Sequence, residues 1–389
     1  MDADVAVIGG GPVGATLAML LARAGRRVTV LEKAVLPRDK PCGEGLMPSG
    51  ARVLAAAGVD LEAEGFPRVD GVRYRLASGA SVRGELRSGP GFGVRRLRLD
   101  ALLAERAAST PRVAFVSGRA ALGVELTPDG VGVETACGRL SARVLVAADG
   151  LRSACARWLG WAAAPSGRAR HALVGHLSGA PGAALGDEIV VTLLGDVEVY
   201  AAPAGAGEAL VAVLGPRGSL RRPGASVADS YLATVARAHP ELADLPLSGR
   251  VQGAGPFHVG PRVVAGGRAF LAGDAAGFLD PLTGDGMAAG LGQAAALAGL
   301  LAPPRDLADA GAVAAAGAAY RAWRARQWRR RRFVTALALG LTGSTSLARR
   351  AMAGVHRHPG ALQSLLEVND GTRTLTSVSA RDWAALAGF

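Results

Sequence analysis

Lysine is almost missing from this chain. Lys33 and Lys40 are the only two among 389 residues, and arginine supplies the rest of the positive side of a formal charge of +12. An arginine excess beside so much alanine and glycine points to a GC-rich genome rather than to a nucleic-acid partner. No zinc spacing, RNA-binding aromatic signature or helix-turn-helix pattern supports such a partner. Cysteine is scarce too: Cys42, Cys137 and Cys155 are odd in number and widely scattered, unlike a secreted disulfide framework. Long hydrophobic runs are absent. The stretch FVTALALGL, from Phe333 to Leu341, has nine residues, about half of the roughly 20 that a spanning helix needs. No signal peptide precedes the first strand, so a cytoplasmic protein is expected. Internal repeats, low-complexity linkers and a second GxGxxG are also missing.

What is present is an α/β pattern with 55 glycines and half its residues hydrophobic, long enough for two lobes around one ligand. Asp4 to Ile8 reads as a buried strand, followed by Gly9, Gly11 and Gly14 and a helix to about Ala24. Arg27 to Leu31 is the next strand, ending at Glu32. Gly9 permits the tight turn, Gly11 admits a pyrophosphate, and Gly14 lets helix and strand pack closely. The helix N-terminus offers N–H groups and a positive dipole end to phosphates. Glu32, 18 residues beyond Gly14, can accept bonds from ribose hydroxyls and would repel a 2′-phosphate. A dinucleotide, FAD or NAD, follows from this βαβ opening.

Further along, residues 71 to 86 alternate as a hairpin around Ser78-Gly79, and Leu97 to Ala108 reads as a helix. Val113 to Ala148 holds several short strands. Residues 161 to 260 are strand-rich with one helix, Val227 to Ala238, and from about 286 the chain is mostly helical.

Two later stretches choose between FAD and NAD. VLVAADGLRSACAR (Val144 to Arg157) and AFLAGDAAGFLDPLTGDGMAAG (Ala269 to Gly290) resemble segments of the flavoprotein monooxygenase and geranylgeranyl reductase superfamily, whose founding architecture is that of para-hydroxybenzoate hydroxylase. The resemblance implies bound FAD, with NADPH or NADH as a transient reductant. It also implies roles by position. Asp149, Gly150, Ser153 and Arg157 match a DGxxSxxR pattern near the pyrophosphate. Gly273 and Asp274 would meet the ribityl chain, and Pro281, Gly284 and Gly286 would open a helix under the flavin pyrimidine. Gly277 stands where the hydroxylases often carry His. The loop PRDKPCGEGL (Pro37 to Leu46) resembles that of geranylgeranyl and menaquinone-chain reductases, which places Arg38, Lys40, Cys42 and Gly43 beside the isoalloxazine. The stretch VRRLRLDALLAERA resembles the family's Arg-x-x-Leu/Phe-Asp helix start, which implies Arg96 near the FAD phosphates, with Arg95 and Arg98 competing for that role; Lys33 completes the cofactor set. Cys42, Glu44 and Pro281 are the catalytic candidates, with Glu44 either a proton relay or a solvated loop acid. Asp100 reads as structural.

The fold class implied is a discontinuous Rossmann-like FAD-binding domain in three parts, 1–70, 91–160 and 261–302. A hairpin, 71–90, would associate with a mixed β-sheet substrate domain, 161–260, and 303–389 would form a helical C-terminal region. Three reactions compete: monooxygenation through a C4a-hydroperoxyflavin, reduction of isoprenoid or alkene double bonds, and halogenation. Halogenation is set aside, because no lysine follows Lys40 and VEVYAAP (Val197 to Pro203) lacks the halogenase tryptophans. The same segment keeps only Tyr200, a substrate-contact candidate, from the geranylgeranyl reductase aromatics, so oxygenation of a hydrophobic polyketide, aromatic or prenylated metabolite is favoured. A flavoprotein that modifies a partner protein is a third possibility. His171 and His176 are either substrate acid–base groups or structural strand residues. Tyr320 to Arg332 (YRAWRARQWRRRR) holds seven arginines and two tryptophans. It reads either as a peripheral membrane contact on anionic lipid or as a helix packed on the FAD lobe.

Overall fold

The computed structural model describes residues 1–164, 169–179 and 185–389. The chain opens with β1 (Ala3–Ile8), α1 (Pro12–Arg23) and β2 (Val28–Glu32), then β3 (Gly45–Leu46), α2 (Pro48–Ala56) and β4 (Arg68–Val69). A hairpin of β5 (Gly71–Leu76) and β6 (Ser81–Glu85) leads to β7 (Gly91–Gly93) and α3 (Arg96–Ala108). Four strands follow, β8 (Val113–Ser117), β9 (Ala121–Leu126), β10 (Val131–Thr135) and β11 (Gly138–Ala147), and a short α4 (Ala154–Trp158). The middle of the chain forms β12 (Arg170–Ser178), β13 (Glu188–Leu193), β14 (Glu198–Gly205), β15 (Glu208–Pro216), α5 (Val227–Ala238) and β16 (Leu247–Ala254). After β17 (Ala265–Gly266) and β18 (Ala269–Leu271) come α6 (Gly286–Leu301), α7 (Ala310–Thr342), α8 (Thr345–Arg357), α9 (Gly360–Asp370) and α10 (Ala380–Leu386).

The first sheet has a parallel core in the order β18-β11-β1-β2-β8. Val5, Val7, Val144 and Val146 alternate into one buried layer with Leu17, Leu21, Leu297 and Leu301 of α1 and α6. Aliphatic strands buried on both faces are what a parallel sheet under helices requires. Burial of each such side chain contributes about 1.5–3 kcal/mol. The front half of β11 pairs instead with β10, antiparallel, and β10 with β9.

The second sheet runs β16-β12-β15-β14-β13-β5-β6 and is antiparallel except where β13 meets β5, with Glu188 beside Gly71. The 71–85 hairpin thus adds to strands from the middle of the chain. One face of this sheet, Val199, Ala201, Val211 and Val213, packs under Tyr231 and Val235 of α5. The other face, with Val191, Tyr200, Ala202, Ala212 and Leu214, joins the core around Leu46 and Met47.

The expected helix at Leu97 begins one residue earlier, at Arg96. Pro281 does not open α6: it starts a separate 3-10 turn, Pro281–Thr283, capped by Asp280, and α6 begins at Gly286. Among the described residues no helix is long and apolar enough to cross a membrane.

Candidate active site

The Gly-rich turn, Glu32, Asp149 and Gly273-Asp274 all follow directly on the carboxyl ends of β1, β2, β11 and β18, or close them. Four neighbouring parallel strands therefore deliver their functional residues to one edge, where open α/β sheets bind ligands. Sequence spacing alone could not show this convergence; the strand order does.

At the turn, Gly9 has φ +105°, and a Cβ there would lie 2.4 Å from the Ala148 carbonyl oxygen. At Gly14 it would lie 1.9 Å from the Gly9 oxygen. Both contacts forbid a side chain, so the turn, β11 and α1 touch through backbone. Helix α1 has Gly11 as its N-cap, no capping side chain and no acidic residue in its first turn. Its free N–H groups point where an anion is favoured. Arg38 Nη2 and Arg96 Nη2 lie 3.7 and 3.8 Å from the position a Gly11 Cβ would take.

Those guanidinium groups are held by Asp100, which is fully buried. Arg96 meets it at 2.7 and 2.8 Å, and Arg38 at 3.4 Å. Burial would lower the Arg96 guanidinium, but Asp100 and Cys42 override it and hold the group above its ordinary value. Asp100 is structural in the sense that it aims two arginines at the turn. Lys40 lies beside Gly150. Burial and repulsion from Arg96 and Arg38 lower its ammonium, while Asp274 pulls the other way.

Glu32 is buried and accepts bonds from Gly10 N–H at 2.8 Å and Ala34 N–H at 2.9 Å. Each oxygen keeps a lone pair for a ribose hydroxyl. Asp149 Oδ2 accepts from Cys155 N–H at 3.1 Å, and its Oδ1 is buried with no partner among the described residues. Ser153 caps α4 by accepting from Ala156 N–H. Arg157 does not join this group: it is exposed on α4 and donates to the Arg152 carbonyl. Lys33 is also exposed.

In the Pro37–Leu46 loop, Cys42 Sγ accepts from Glu44 N–H at 3.4 Å, and Gly43 faces the ring of Tyr200. Glu44 is far from a solvated loop acid. It is buried with φ +53°, and its carboxylate accepts from Arg96 N–H at 2.8 Å and meets His176 Nε2 at 2.9 Å and Arg95 at 3.4 Å. It ties the loop to the start of α3 and to β12, which also explains His176. The Tyr200 hydroxyl is buried against Gly45 with no partner among the described residues, and burial first, then Cys42 and Glu44, push it upward. It stays protonated.

Gly273 N–H donates to Gln293 Oε1 at 3.0 Å, and the Tyr320 hydroxyl, which donates to the Leu271 carbonyl at 2.8 Å, lies 3.2 Å from the same oxygen. Sequence patterns pass over Gln293; its signal is one polar residue inside the apolar run of α6. Asp280 is bound by Arg170 at 2.9 Å and Asp285 by Arg331 at 2.6 Å. The Pro281–Gly284 turn is therefore pinned at both ends.

An uncapped helix N-terminus flanked by two guanidinium groups, an acid at the end of β2 and the orphaned Asp149 oxygen fit the pyrophosphate and ribose of FAD. Fold and site define a flavin-binding oxidoreductase. The family profile described as FAD binding domain matches residues 2–306, and the chain belongs to that family. A menaquinone reductase of Mycobacterium tuberculosis is 32% identical over 352 residues, covering 79% of this chain and 78% of the relative. The 6-methylpretetramide 4-monooxygenase of Streptomyces rimosus is 33% identical over 153 residues, 38% of this chain and 36% of the relative. Among solved structures, PqsL of Pseudomonas aeruginosa, described as a probable FAD-dependent monooxygenase, superposes with a TM-score of 0.69 at 25% identity, covering 83% of this chain and 91% of its own.

Proposed function

We propose that this FAD-dependent oxidoreductase is an NAD(P)H-using monooxygenase of an apolar small molecule that carries an oxygen function, of the polyketide, aromatic or prenylated kind. The observation that carries this reading is Tyr200: a buried hydroxyl without a partner among the described residues, set in an aliphatic sheet face beside Gly43 and Gly45. Such a group asks for an oxygen or nitrogen from outside the protein, whereas a bare hydrocarbon chain would leave it unsatisfied. Bound FAD supplies the two-electron chemistry. Around it, the α1 N-terminus with Arg38 and Arg96 would hold phosphates, Glu32 the ribose, and the pinned Pro281–Gly284 turn the ring. The aliphatic face with Ala202, Ala212 and Leu214 would exclude water. One oxygen atom of O₂ enters a substrate C–H bond, the other leaves as water, and NAD(P)H with a proton supplies the electrons. With one dinucleotide fold, the nicotinamide binds transiently.

The long match to a menaquinone reductase favours a second reading, reduction of an alkene or isoprenoid double bond. Turnover under ¹⁸O₂ with NADPH or NADH, using 4-nonylphenol and menaquinone-4 as probes, separates the two. Incorporation of one ¹⁸O atom supports oxygenation. A product heavier by two hydrogens and free of label overturns it in favour of reduction.

A further inference from the structure

Behind the turn that would face the flavin lies a cleft of about 210 Å³, walled by α2, α6, α7 and the end of α9. Five charged side chains line or border it. Asp285 is taken up by Arg331 and Thr283. Asp370 is taken up by Arg52, Ser88 and the Ser49 N–H. That leaves Arg324 and Arg330 with no carboxylate in direct contact among the described residues. Arg324 is buried, stacks over Trp328 at 3.9 Å and makes one hydrogen bond, to the Ala276 carbonyl at 2.6 Å. Arg330 lies across Gly371, where a Cβ would come within 2.3 Å of its Nη1. The Nε of each has no partner among the described residues. Burial lowers both guanidinium groups, Arg324 to about 10.

A buried guanidinium and a half-buried one beside it, each with an Nε that no described residue satisfies, are costly unless something anionic reaches them; Asp285 and Asp370 act on Arg330 only from a distance. Their planar forks match the oxygens of a phosphate. The cleft is smaller than the roughly 300 Å³ at which drug-sized ligands begin, so it suits one phosphoryl group and little more. Gly292 lines the wall, and a side chain there would meet nothing within 4 Å.

We propose that this cleft between α6, α7 and the end of α9 is a phosphate-binding site, with Arg330 and Arg324 as its cationic ligands. It is separate from the cofactor cradle and wired to it twice, through Arg324 to Ala276 and through Arg331 to Asp285. The phosphate arrives either free or as the 2′-phosphate of a nucleotide.

The test uses the flavin-loaded protein and titration calorimetry with inorganic phosphate at constant ionic strength. Three variants accompany the wild type: Arg330→Gln, Gly292→Leu, which fills the cleft and favours the helix, and Arg326→Gln, which removes an exposed charge from the same helix. Saturable binding that weakens at least about tenfold in both R330Q and G292L but stays within about twofold in R326Q supports the site. No saturable heat, or equal losses in R330Q and R326Q, overturns it. If R330Q loses flavin, G292L decides alone. Titration with 2′-AMP then assigns the source: competition with phosphate means a nucleotide carrier, and exclusion means the free ion.

Discussion

Arg331 and Asp285 stand 46 residues apart in the chain and face each other as a two-point ion pair, Nε to Oδ2 at 2.6 Å and Nη2 to Oδ1 at 3.2 Å. Both are buried. The pair locks a C-terminal helix onto the start of α6, so an arginine from a run that looks like surface charge holds the cofactor-side turn. Burial would raise the Asp285 carboxyl, but Arg331 overrides it and holds the group below its ordinary value of 3.8. A depressed carboxyl contributes stability above its unfolded value and loses it as pH falls through the folded one. Arg331→Gln should cost about 3–5 kcal/mol in thermal unfolding, because it strands a buried charge. The gap between wild type and Asp285→Asn should hold constant from pH 7 to about 5 and shrink below about pH 4.

Gly14→Ala should give a protein that retains little flavin. The new methyl would overlap the Gly9 carbonyl, and relief by moving α1 off the turn costs about 1–3 kcal/mol. The ratio of 450 nm to 280 nm absorbance reads the loss directly.

For Glu44, the structure sets a clamp against a proton relay. Glu44→Ala leaves the Arg96 N–H and His176 without their acceptor and should destabilise by about 3 kcal/mol. Glu44→Gln preserves the shape, and its pH–rate profile decides between the roles. A profile parallel to that of the wild type removes the relay; loss of one limb restores it.

Tyr200→Phe should leave the melting temperature almost unchanged, since the hydroxyl it removes has no partner among the described residues and deleting such a group is close to neutral. Turnover of an oxygen-bearing substrate should fall about tenfold, with KM rising, as one hydrogen bond is lost. A large drop in melting temperature would mean that the hydroxyl serves the fold.

If the C-terminal helix touches lipid, its exposed charges do so. Arg326, Arg329 and Arg332 are exposed on α7 beside Phe333, 45% exposed, whereas Arg324 and Arg331 are buried. Reversing Arg326, Arg329 and Arg332 to Glu should abolish co-sedimentation with anionic vesicles, each charge contributing about 1 kcal/mol, and leave flavin content intact. Unchanged sedimentation would end the membrane reading.

Local signals were legible where one segment decides its own state. Helix α5 spans Val227–Ala238 as its pattern indicates, with Ser226 as the cap, and the Gly-rich turn lies between β1 and α1 as its spacing indicates. What the sequence hides is pairing over distance. Nothing in GVRYRL says that it will lie parallel to EIVVTL, 117 residues on. Glu44 reads as a loop acid because its partners, Arg96 and His176, come from two other elements. The arginine run likewise mixes buried and exposed positions, which a helix turns to different faces only once its neighbours are placed.

The central sheet has one more consequence. Its middle strand, β1, is flanked by β11, about 140 residues later, and β11 by β18, about 125 residues beyond that. During synthesis, a ribosome must release the chain through Leu271 before the last edge of the cradle can close. Truncated chains that carry the whole Gly-rich opening will emerge colourless, and flavin capture becomes a late checkpoint on finished molecules.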